Sequence, residues 1–303
     1  MQIYDNIPDL HQSVFTIGSF DGLHVGHRHL IYQTLDIGKS LGIEPLVLTF
    51  EPHPRLVLQS NKDFQIINTT KEKLKLLEDI GVEHVVLIPF DANLSNLSAD
   101  EFVLELLKKL KPKVVVLGYD HKFGKDRKGS IETFENYQSS SFDFKITQVD
   151  ELELGNKKIS STEIRQNLRA GAIKEANDLL GYHYHISGTV IRGKQLGRTI
   201  GFPTANIQID HPRKICLPNG VYKTEIIVKE KKYLAATSIG TNPTISHESQ
   251  IHIETYIIDF DIDVYGENVQ LFFLEKVRDE KKFENLEALK LQISKDVMLI
   301  SAN

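Results

Sequence analysis

The stretch GSFDGLHVGH, residues 18–27, is the most informative part of the first half of this chain. Its ten residues contain three glycines, one aspartate and two histidines, and they stand between a short apolar run and a helical pattern. Glycines let backbone N–H groups approach an anion, and a helix N-terminus favours negative charge. We therefore predict a turn from a first strand into a first helix, with a phosphate site at that turn.

The sequence around this turn alternates between strand and helix patterns up to residue 150. Near-continuous apolar strands that alternate with helices are typical of a parallel sheet covered on both faces, so we predict a doubly wound, Rossmann-like α/β domain. The predicted strands cover residues 13–20, 44–50, 84–90, 113–120 and 144–150. The predicted helices cover residues 27–42, 69–81, 98–111, 160–171 and 172–181, and Ser98 with Glu101 forms a capping box.

The pattern of residue types changes after Gly181. Val, Ile, Thr and Tyr there alternate with polar residues and are separated by turn residues, which predicts a small antiparallel β-barrel. A helical pattern over residues 283–300 closes the chain. We predict two domains, residues 1–182 and 183–303.

Composition limits the classes of function. The chain has 303 residues, 41% hydrophobic and 25% charged, with a net charge of -5 and one cysteine. These values predict a globular protein that does not bind nucleic acid and has no disulfide framework. The first residues, MQIYDNIPDL, lack the basic and apolar segments of a signal peptide, and no run of 18 apolar residues is present. We expect a cytoplasmic monomer or weak homo-oligomer with no membrane span, acting on small molecules.

Three interpretations of residues 18–27 compete. The stretch could be a plain turn with surface histidines, or a metal site of His24, His27 and His29, although a zinc site would want further ligands nearby. The common nucleotide loops are excluded, because GxGxxG is absent and GKDRKGS (124–130) has Ser where a Walker loop has Lys. The pattern HxGH resembles the nucleotidylyltransferase signature, which favours the phosphate site.

Two more stretches support a phosphate site. GYDHKFG (118–124) follows the fourth predicted strand, again at a carboxyl end. ISSTEIR (159–165) opens a helix with three hydroxyl residues and places Arg165 one turn in. Hydroxyls, helix N–H groups and an arginine suit a triphosphate, although SSTE alone is also an ordinary capping pattern.

These stretches, followed by GKQLGRTIGFPTAN (193–206) and LPNGVY (217–222), resemble the bacterial bifunctional riboflavin kinase/FAD synthetase family over nearly the whole chain. The resemblance implies two reactions. The C-terminal barrel would phosphorylate riboflavin with ATP to give FMN, and the N-terminal domain would transfer AMP from ATP to FMN to give FAD and pyrophosphate. Both reactions would need Mg²⁺.

The residues of the second half suit this chemistry. Pro203 fixes a turn, and Thr204 and Asn206 lie two apart on an extended segment, so they point the same way and could hold Mg²⁺ with ATP phosphates. By resemblance Glu254 is the base for the riboflavin hydroxyl, although its strand pattern alone also fits a solvent-facing glutamate. An acidic alternation after it, Asp259, Asp261 and Asp263, is interpreted as a solvated turn.

The resemblance also implies the remaining site residues. The predicted catalytic groups are Glu254, His24, His27 and Arg165. The predicted contacts with nucleotide or flavin are Gly18, Phe20, Asp21, Gly22, Gly26, Gly118, Asp120, Phe123, Ser160, Ser161, Thr162, Gly193, Lys194, Gly197, Arg198, Gly201, Pro203, Gly220, Tyr222 and Arg278. The sequence departs from the family at His121 and Lys122, where an aromatic–arginine pair is common.

Other functions stay open at this point. The N-terminal domain could be a regulatory nucleotide module beside an active kinase, or the whole chain a flavin-binding regulator or storage protein. A cytidylyltransferase-like enzyme with an unrelated β domain is a further alternative. The presence of His24, His27, Thr204, Asn206 and Glu254 favours the bifunctional enzyme over all of these.

Overall fold

The computed structural model describes residues 1–58, 63–125, 128–138, 142–155, 157–193, 195–242 and 250–302. The chain forms two compact units, Met1–Ser161 and Thr162–Asn303, which we call the first and second units.

The first unit is built on a six-stranded sheet in the order β1-β4-β3-β2-β5-β6, and every neighbouring pair is parallel. The strands are β1 (Gln2–Tyr4), β2 (Ser13–Ile17), β3 (Pro45–Glu51), β4 (His84–Pro89), β5 (Pro112–Gly118) and β6 (Lys145–Val149). The five predicted strands are confirmed. The analysis missed β1, because a three-residue strand at the sheet edge is too short to show a period.

The helices of the first unit lie between these strands. They are α1 (Val25–Leu41), α2 (Pro54–Leu58), α3 (Thr70–Asp79), α4 (Ala92–Asn96), α5 (Ala99–Leu110) and α6 (Ile131–Gln138), and a small hairpin of β7 (Glu153–Leu154) and β8 (Lys157–Lys158) follows β6. The three long predicted helices are present as α1, α3 and α5. The capping box predicted at Ser98 is formed with Glu101 at the start of α5.

Both faces of the sheet are buried, as a parallel sheet requires. Phe15 of β2 packs in a core layer with α5 and α6, whereas Val14 of the same strand packs in a second layer with α1 and α3. The alternation follows from the two-residue period of a strand. Apolar residues on both sides explain why the strands have near-continuous hydrophobic sequences.

The order of the strands creates a switch point between β2 and β5. The chain runs outward from β2 through β3 to β4, then returns to the other side of β2 with β5 and β6. Ligands of open α/β sheets bind outside the carboxyl ends of strands at such a point. Residues 18–24 and 118–124 follow the two strands that flank it.

The second unit contains a closed six-stranded barrel in the order β10-β13-β12-β11-β14-β9, in which all pairs are antiparallel. Its strands are β9 (His185–Ile191), β10 (Ala205–Ile209), β11 (Gly220–Val228), β12 (Lys231–Asn242), β13 (Gln250–Ile257) and β14 (Asn268–Arg278). Its helices are α7 (Ser161–Ala170), α8 (Ile173–Leu180), α9 (Leu196–Thr199) and α10 (Leu286–Ala302). The predicted barrel and closing helix are confirmed.

Alternate residues of the barrel strands face its interior. Inside, the hydroxyl of Thr237 contacts those of Thr224 at 2.8 Å and Thr255 at 3.0 Å, and all three residues are fully buried. The residues that alternate with these along each strand, such as Asn206 and Glu254, are half-buried and face outward. The outer wall is therefore where polar chemistry can reach solvent.

Helix α8 packs on the barrel. The side-chain amide of Asn177 donates to the carbonyl of Phe273 in β14 at 2.9 Å, and Lys174 pairs with Glu275 at 2.6 Å. These contacts place α8 in the second unit, which begins at Thr162, upstream of the predicted 182/183 boundary.

Among the described residues, no helix has both the length and the apolar character needed to cross a membrane.

The core layers generate a stability prediction. Leu106 of α5 is fully buried, so Leu106→Ala should leave a cavity and lower the free energy of unfolding by about 2–5 kcal/mol. Leu41 of α1 is 50% exposed, so Leu41→Ala should change it by about 0.5 kcal/mol or less. Urea unfolding of both variants checks this, and equal shifts of the midpoint would contradict the assignment of the core.

Candidate functional site

The β2 loop, residues 18–24, turns sharply between β2 and α1. Phe20, Gly22 and Leu23 have φ angles of 47°, 87° and 33°, in the left-handed region. Such angles are unfavourable for residues other than glycine and persist where the surroundings enforce them. Phe20 and Leu23 are 2% and 0% exposed, so tight packing holds this backbone.

Two histidines meet at the N-terminus of α1. The rings of His24 and His27 stack with centroids 3.5 Å apart, and Phe20 packs edge-on against His27 at 5.3 Å. His24 is the N-cap of α1: its Nδ1 accepts the backbone N–H of His27 at 3.3 Å. Because Nδ1 accepts, the proton of a neutral His24 ring lies on Nε2, where it can be donated.

Gly26 makes room for this arrangement. A Cβ at Gly26 would lie 3.3 Å from Nδ1 of His24, closer than most side chains tolerate. The helix dipole, the backbone N–H groups of the first turn and the imidazoles then act at one place. This combination suits an anion such as a phosphate.

Asp21 connects the β2 loop to the segment before α3. Its carboxylate is 3% exposed and accepts the backbone N–H groups of Ile67 at 2.9 Å and Asn68 at 3.1 Å. Its carbonyl accepts the hydroxyl of Ser161 at 2.8 Å. The structure therefore places Ser161, the last residue of the first unit and part of the predicted phosphate stretch, beside the β2 loop.

Sequence reasoning missed Lys73 of α3. Its ammonium is buried and donates to Oγ1 of Thr49 at 2.9 Å and to the carbonyls of Ser19 and Phe50 at 3.3 Å. Burial lowers the pKa of Lys73 from 10.5 to about 8, although the charges of Asp21 and Glu51 oppose that shift. Helix α3 also carries Lys71 and Lys75, which are both exposed. Helical spacing is the signal that could have found Lys73, because it stands three, four and seven residues before Leu76, Leu77 and Ile80, on the apolar face of the helix.

The stretch after β5 mixes exposed and buried residues. Asp120 is exposed, whereas the ring of Phe123 is 8% exposed and packs in the core beside Phe134 at 5.5 Å. The imidazole ring of His121 stacks on Phe123 with centroids 5.4 Å apart. An aromatic ring is therefore retained at the position where the family commonly has an aromatic residue. Gly118 ends β5, where a Cβ would meet Leu30 at an ordinary 3.8 Å.

The other predicted residues of the α7 stretch differ in exposure. Ser160 and Ser161 are half-buried, Thr162 is exposed and Arg165 is 6% exposed, one turn into the helix.

The second unit brings Asn206 and Glu254 together. They are directly opposite each other in the antiparallel pair β10–β13, and Glu254 is opposite Ser238 in the pair β13–β12. Directly opposed residues project from the same face of a sheet, with Cβ atoms about 4.5–5.5 Å apart. The predicted metal ligand and the predicted base are therefore neighbours on the outer barrel wall.

The loop before β10 covers this wall. A Cβ at Gly193 would lie 2.2 Å from the amide nitrogen of Asn206, so the Asn206 side chain rests directly on the Gly193 backbone. The N–H of Phe202 donates to the carbonyl of Gly197 at 2.8 Å, and Gly201 has a left-handed φ of 88°. These contacts close a tight loop around α9.

The remaining predicted residues of this loop are only partly described. Arg198 and Pro203 are exposed and Thr204 is half-buried, immediately before β10. Lys194 lies outside the described residues.

Gly220, Tyr222 and Arg278 have structural partners. Tyr222 is fully buried, donates its hydroxyl to the carbonyl of Pro218 at 2.6 Å, and has its pKa raised by burial. The guanidinium of Arg278 donates to the carboxylate of Asp296 in α10 at 2.8–3.1 Å. A Cβ at Gly220 would lie 2.8 Å from the carbonyl oxygen of Arg278. Their predicted contact with nucleotide or flavin stays a prediction.

No cluster of three or more His, Cys, Asp or Glu residues that could hold a metal ion occurs within the described parts of the chain. Neither the alternative set of His24, His27 and His29 nor the acidic alternation after β13 forms one there. Burial raises the pKa of the Cys216 thiol to about 11, so this cysteine is not a reactive thiolate near neutral pH.

Two family models match the chain. The FAD synthetase model matches residues 6–163, and the riboflavin kinase model matches residues 180–302.

Curated relatives match over nearly the full length. A protein of Listeria monocytogenes named bifunctional riboflavin kinase/FMN adenylyltransferase is 38% identical over 285 residues, covering 93% of this chain and 90% of that protein. A protein of the same name from Escherichia coli K12 is 36% identical with the same coverage. A crystal structure from Streptococcus pneumoniae, titled macrolide-efflux protein, has a TM-score of 0.90 at 32% identity and covers 99% of this chain and 98% of its own.

The contact between Gly193 and Asn206 generates a prediction. Gly193→Ala should displace the Asn206 side chain, because no room exists for a Cβ, and should impair the chemistry of the barrel wall. Phosphorylation of riboflavin by ATP should fall, whereas conversion of FMN to FAD by the same sample should not. Equal loss of both activities, or of neither, would contradict the placement of Asn206 in the barrel site.

Proposed function

This chain belongs to the family of bifunctional riboflavin kinase/FMN adenylyltransferase enzymes, and we propose which of its residues carry out the two reactions. The chain phosphorylates riboflavin to FMN with its C-terminal flavokinase domain and adenylylates FMN to FAD with its N-terminal FAD synthetase domain. The finer assignments below are proposals about single residues, the metal and the domain boundary.

In adenylyl transfer, an oxygen of the FMN phosphate attacks the α-phosphorus of ATP, and pyrophosphate leaves. Negative charge develops on the phosphate oxygens, so catalysis requires fixed donors rather than covalent chemistry. We assign this role to His24 and His27, supported by their stacking at the N-terminus of α1. Ser160, Ser161, Thr162 and Arg165 remain proposed phosphate ligands, and Gly118, Asp120 and Phe123 proposed neighbours of the nucleotide.

In the kinase reaction, the 5′-hydroxyl of riboflavin attacks the γ-phosphorus of ATP, and ADP leaves. Glu254 would accept the hydroxyl proton. The single observation that carries this assignment is the register that sets Glu254 opposite Asn206 on the outer wall of the barrel. Two strands that are separate in sequence thus present the proposed base and the proposed metal ligand side by side.

The residues present fit Mg²⁺. Asn206 and the preceding Thr204 offer oxygen ligands, and Gly193 supports the Asn206 amide from behind. Mg²⁺ is usually held by few protein groups together with water and substrate phosphates, so two oxygens suffice. The ion would neutralise charge on the ATP phosphates, while Arg198 adds a positive charge to the same loop.

We propose a functional boundary at residues 182/183, supported by family models that end at residue 163 and begin at residue 180. Other expectations stay proposals too: a cytoplasmic location, a monomeric or weakly associated state, and no binding of nucleic acid.

The first experiment is a chromatographic time course with the full chain, riboflavin, ATP and Mg²⁺. FMN should rise and then give way to FAD. FMN that accumulates without FAD would contradict the roles proposed for His24 and His27. Product without Mg²⁺ would contradict those of Thr204 and Asn206.

Barrel-wall variants should separate the two activities in one direction. Asn206→Ala and Glu254→Ala should abolish FMN formation from riboflavin, since they remove the metal ligand and the base, yet leave conversion of FMN to FAD. Gln208→Ala, on the exposed side of the same strand, is the matched control and should change neither. Loss of both activities in a folded variant would contradict two independent sites.

A variant of α1 should lose FAD formation from FMN and keep FMN formation from riboflavin. His27→Ala should lower the rate of FAD formation from FMN by about 10²–10³-fold, the usual effect of removing one charge-stabilising donor, and spare FMN formation. His29→Ala, two residues along the same helix, should leave both rates within a small factor. An equal effect of the two variants would point to loss of helix structure rather than of a donor.

A further inference from the structure

Lys73 clamps the β2 loop to the carboxyl end of β3. An ammonium has three N–H donors, and here each has an acceptor: the Ser19 carbonyl in the loop, and the Thr49 hydroxyl and Phe50 carbonyl near the end of β3. The Thr49 hydroxyl also donates to the Ser19 carbonyl, at 3.3 Å. One side chain from α3 therefore ties together two strand ends beside the proposed adenylyl-transfer site of His24 and His27, which we call the first site.

Holding a cation at this position opposes folding. The side chain is 5% exposed, and an ammonium taken out of water loses hydration that three hydrogen bonds restore only in part. The lowered pKa of Lys73, about 8, reflects that loss. Leu77, one turn along the same buried face of α3, is a fully buried apolar residue, so packing on this face does not require a buried charge.

The clamp sets the orientation of one peptide group in the loop. In a trans peptide the C=O and the following N–H point in opposite directions. Because the Ser19 carbonyl turns toward the ammonium, the N–H of Phe20 turns away from it. Phe20 then takes the left-handed φ that leads the chain to Asp21 and His24.

We propose that Lys73 is a positioning residue for adenylyl transfer, acting through the β2 loop whose backbone it holds in the geometry that presents His24 and His27. This inference rests on the function proposed for the first site. The charged groups that face the ammonium are Asp21 from the loop and Glu51 from β3, and Glu51 is itself bound by the Thr70 hydroxyl of α3.

A pH profile of the unaltered full chain is the first test. The rate of FAD formation from FMN should fall between pH 7 and pH 9.5 with a midpoint near 8, because a neutral amine can donate to only two of the three acceptors. Folding stability should move the other way. The folded pKa is lower than the unfolded value of 10.5, so the penalty for the buried charge applies below pH 8 and disappears as pH rises from 8 to 10.5.

Opposite trends in rate and stability are the expected result. A buried lysine on which the site does not depend would give the same rise in stability while the rate stayed constant. Parallel trends, or a rate that does not change up to pH 9.5, would overturn the proposal.

Variants sharpen the test. Lys73→Met should lower kcat for FAD formation by about 10²-fold with a smaller change in KM, because His24 and His27 would be misplaced but still present. Lys73→Arg keeps its charge and should retain activity above pH 9. Lys71→Met is the matched control on the same helix, and FMN formation by the second unit reports overall integrity of each sample.

Each outcome bears on one of the two proposals. A normal kcat in Lys73→Met, or an unchanged alkaline decline in Lys73→Arg, overturns the role of Lys73 and leaves that of the histidines. Absence of FAD formation in the unaltered chain and in Lys71→Met overturns the first-site assignment and this inference with it. Should Lys73→Arg not fold, the opposed pH trends of the unaltered chain decide.

Discussion

The buried ion-dipole contacts beneath the β2 loop are the constraint on which the first site depends. The negatively charged Asp21 accepts two backbone N–H groups from the segment before α3. The positively charged Lys73 donates to the Ser19 carbonyl. Between these anchors, Phe20 and Leu23 hold φ angles that would each be unfavourable by about 1–3 kcal/mol in an unsupported chain. The packed fold thus holds the loop in this conformation, and a ligand that fits it would spend no binding energy on ordering it.

The second site depends on strand register instead. Side chains of a strand alternate between faces, so a slip of one residue in β13 would turn Glu254 into the barrel interior and bring a buried residue such as Thr255 outward. The threonine hydroxyls inside the barrel and the apolar residues beside them fit only one register. Core packing therefore determines the position of the proposed base, although the base itself lies on the outer wall.

Much of this architecture could be predicted from local patterns, and the failures have identifiable causes. Strand β1 is too short to carry a period, and α2 and α4 are five-residue turns of helix that apolar spacing does not reveal. The contact of Tyr222 and Arg278 with a ligand stays a prediction, whereas their hydrogen bonds to Pro218 and Asp296 are tertiary contacts that a motif does not show. Helix α8, which lies upstream of the proposed 182/183 boundary, packs on β14 of the second unit, a contact that composition does not encode.

The fold class of each half, the order of its longer strands and helices, and the turn at GSFDGLHVGH follow from the amino-acid sequence alone, because periodicity, glycines and caps are local properties. Which residues meet is a property of the tertiary structure. It placed Glu254 opposite Asn206 through a pairing of distant strands, and it brought the Lys73 ammonium to the Ser19 carbonyl, 54 residues away in sequence. Long-range contacts depend on the whole packed core, and no short window of sequence contains that information.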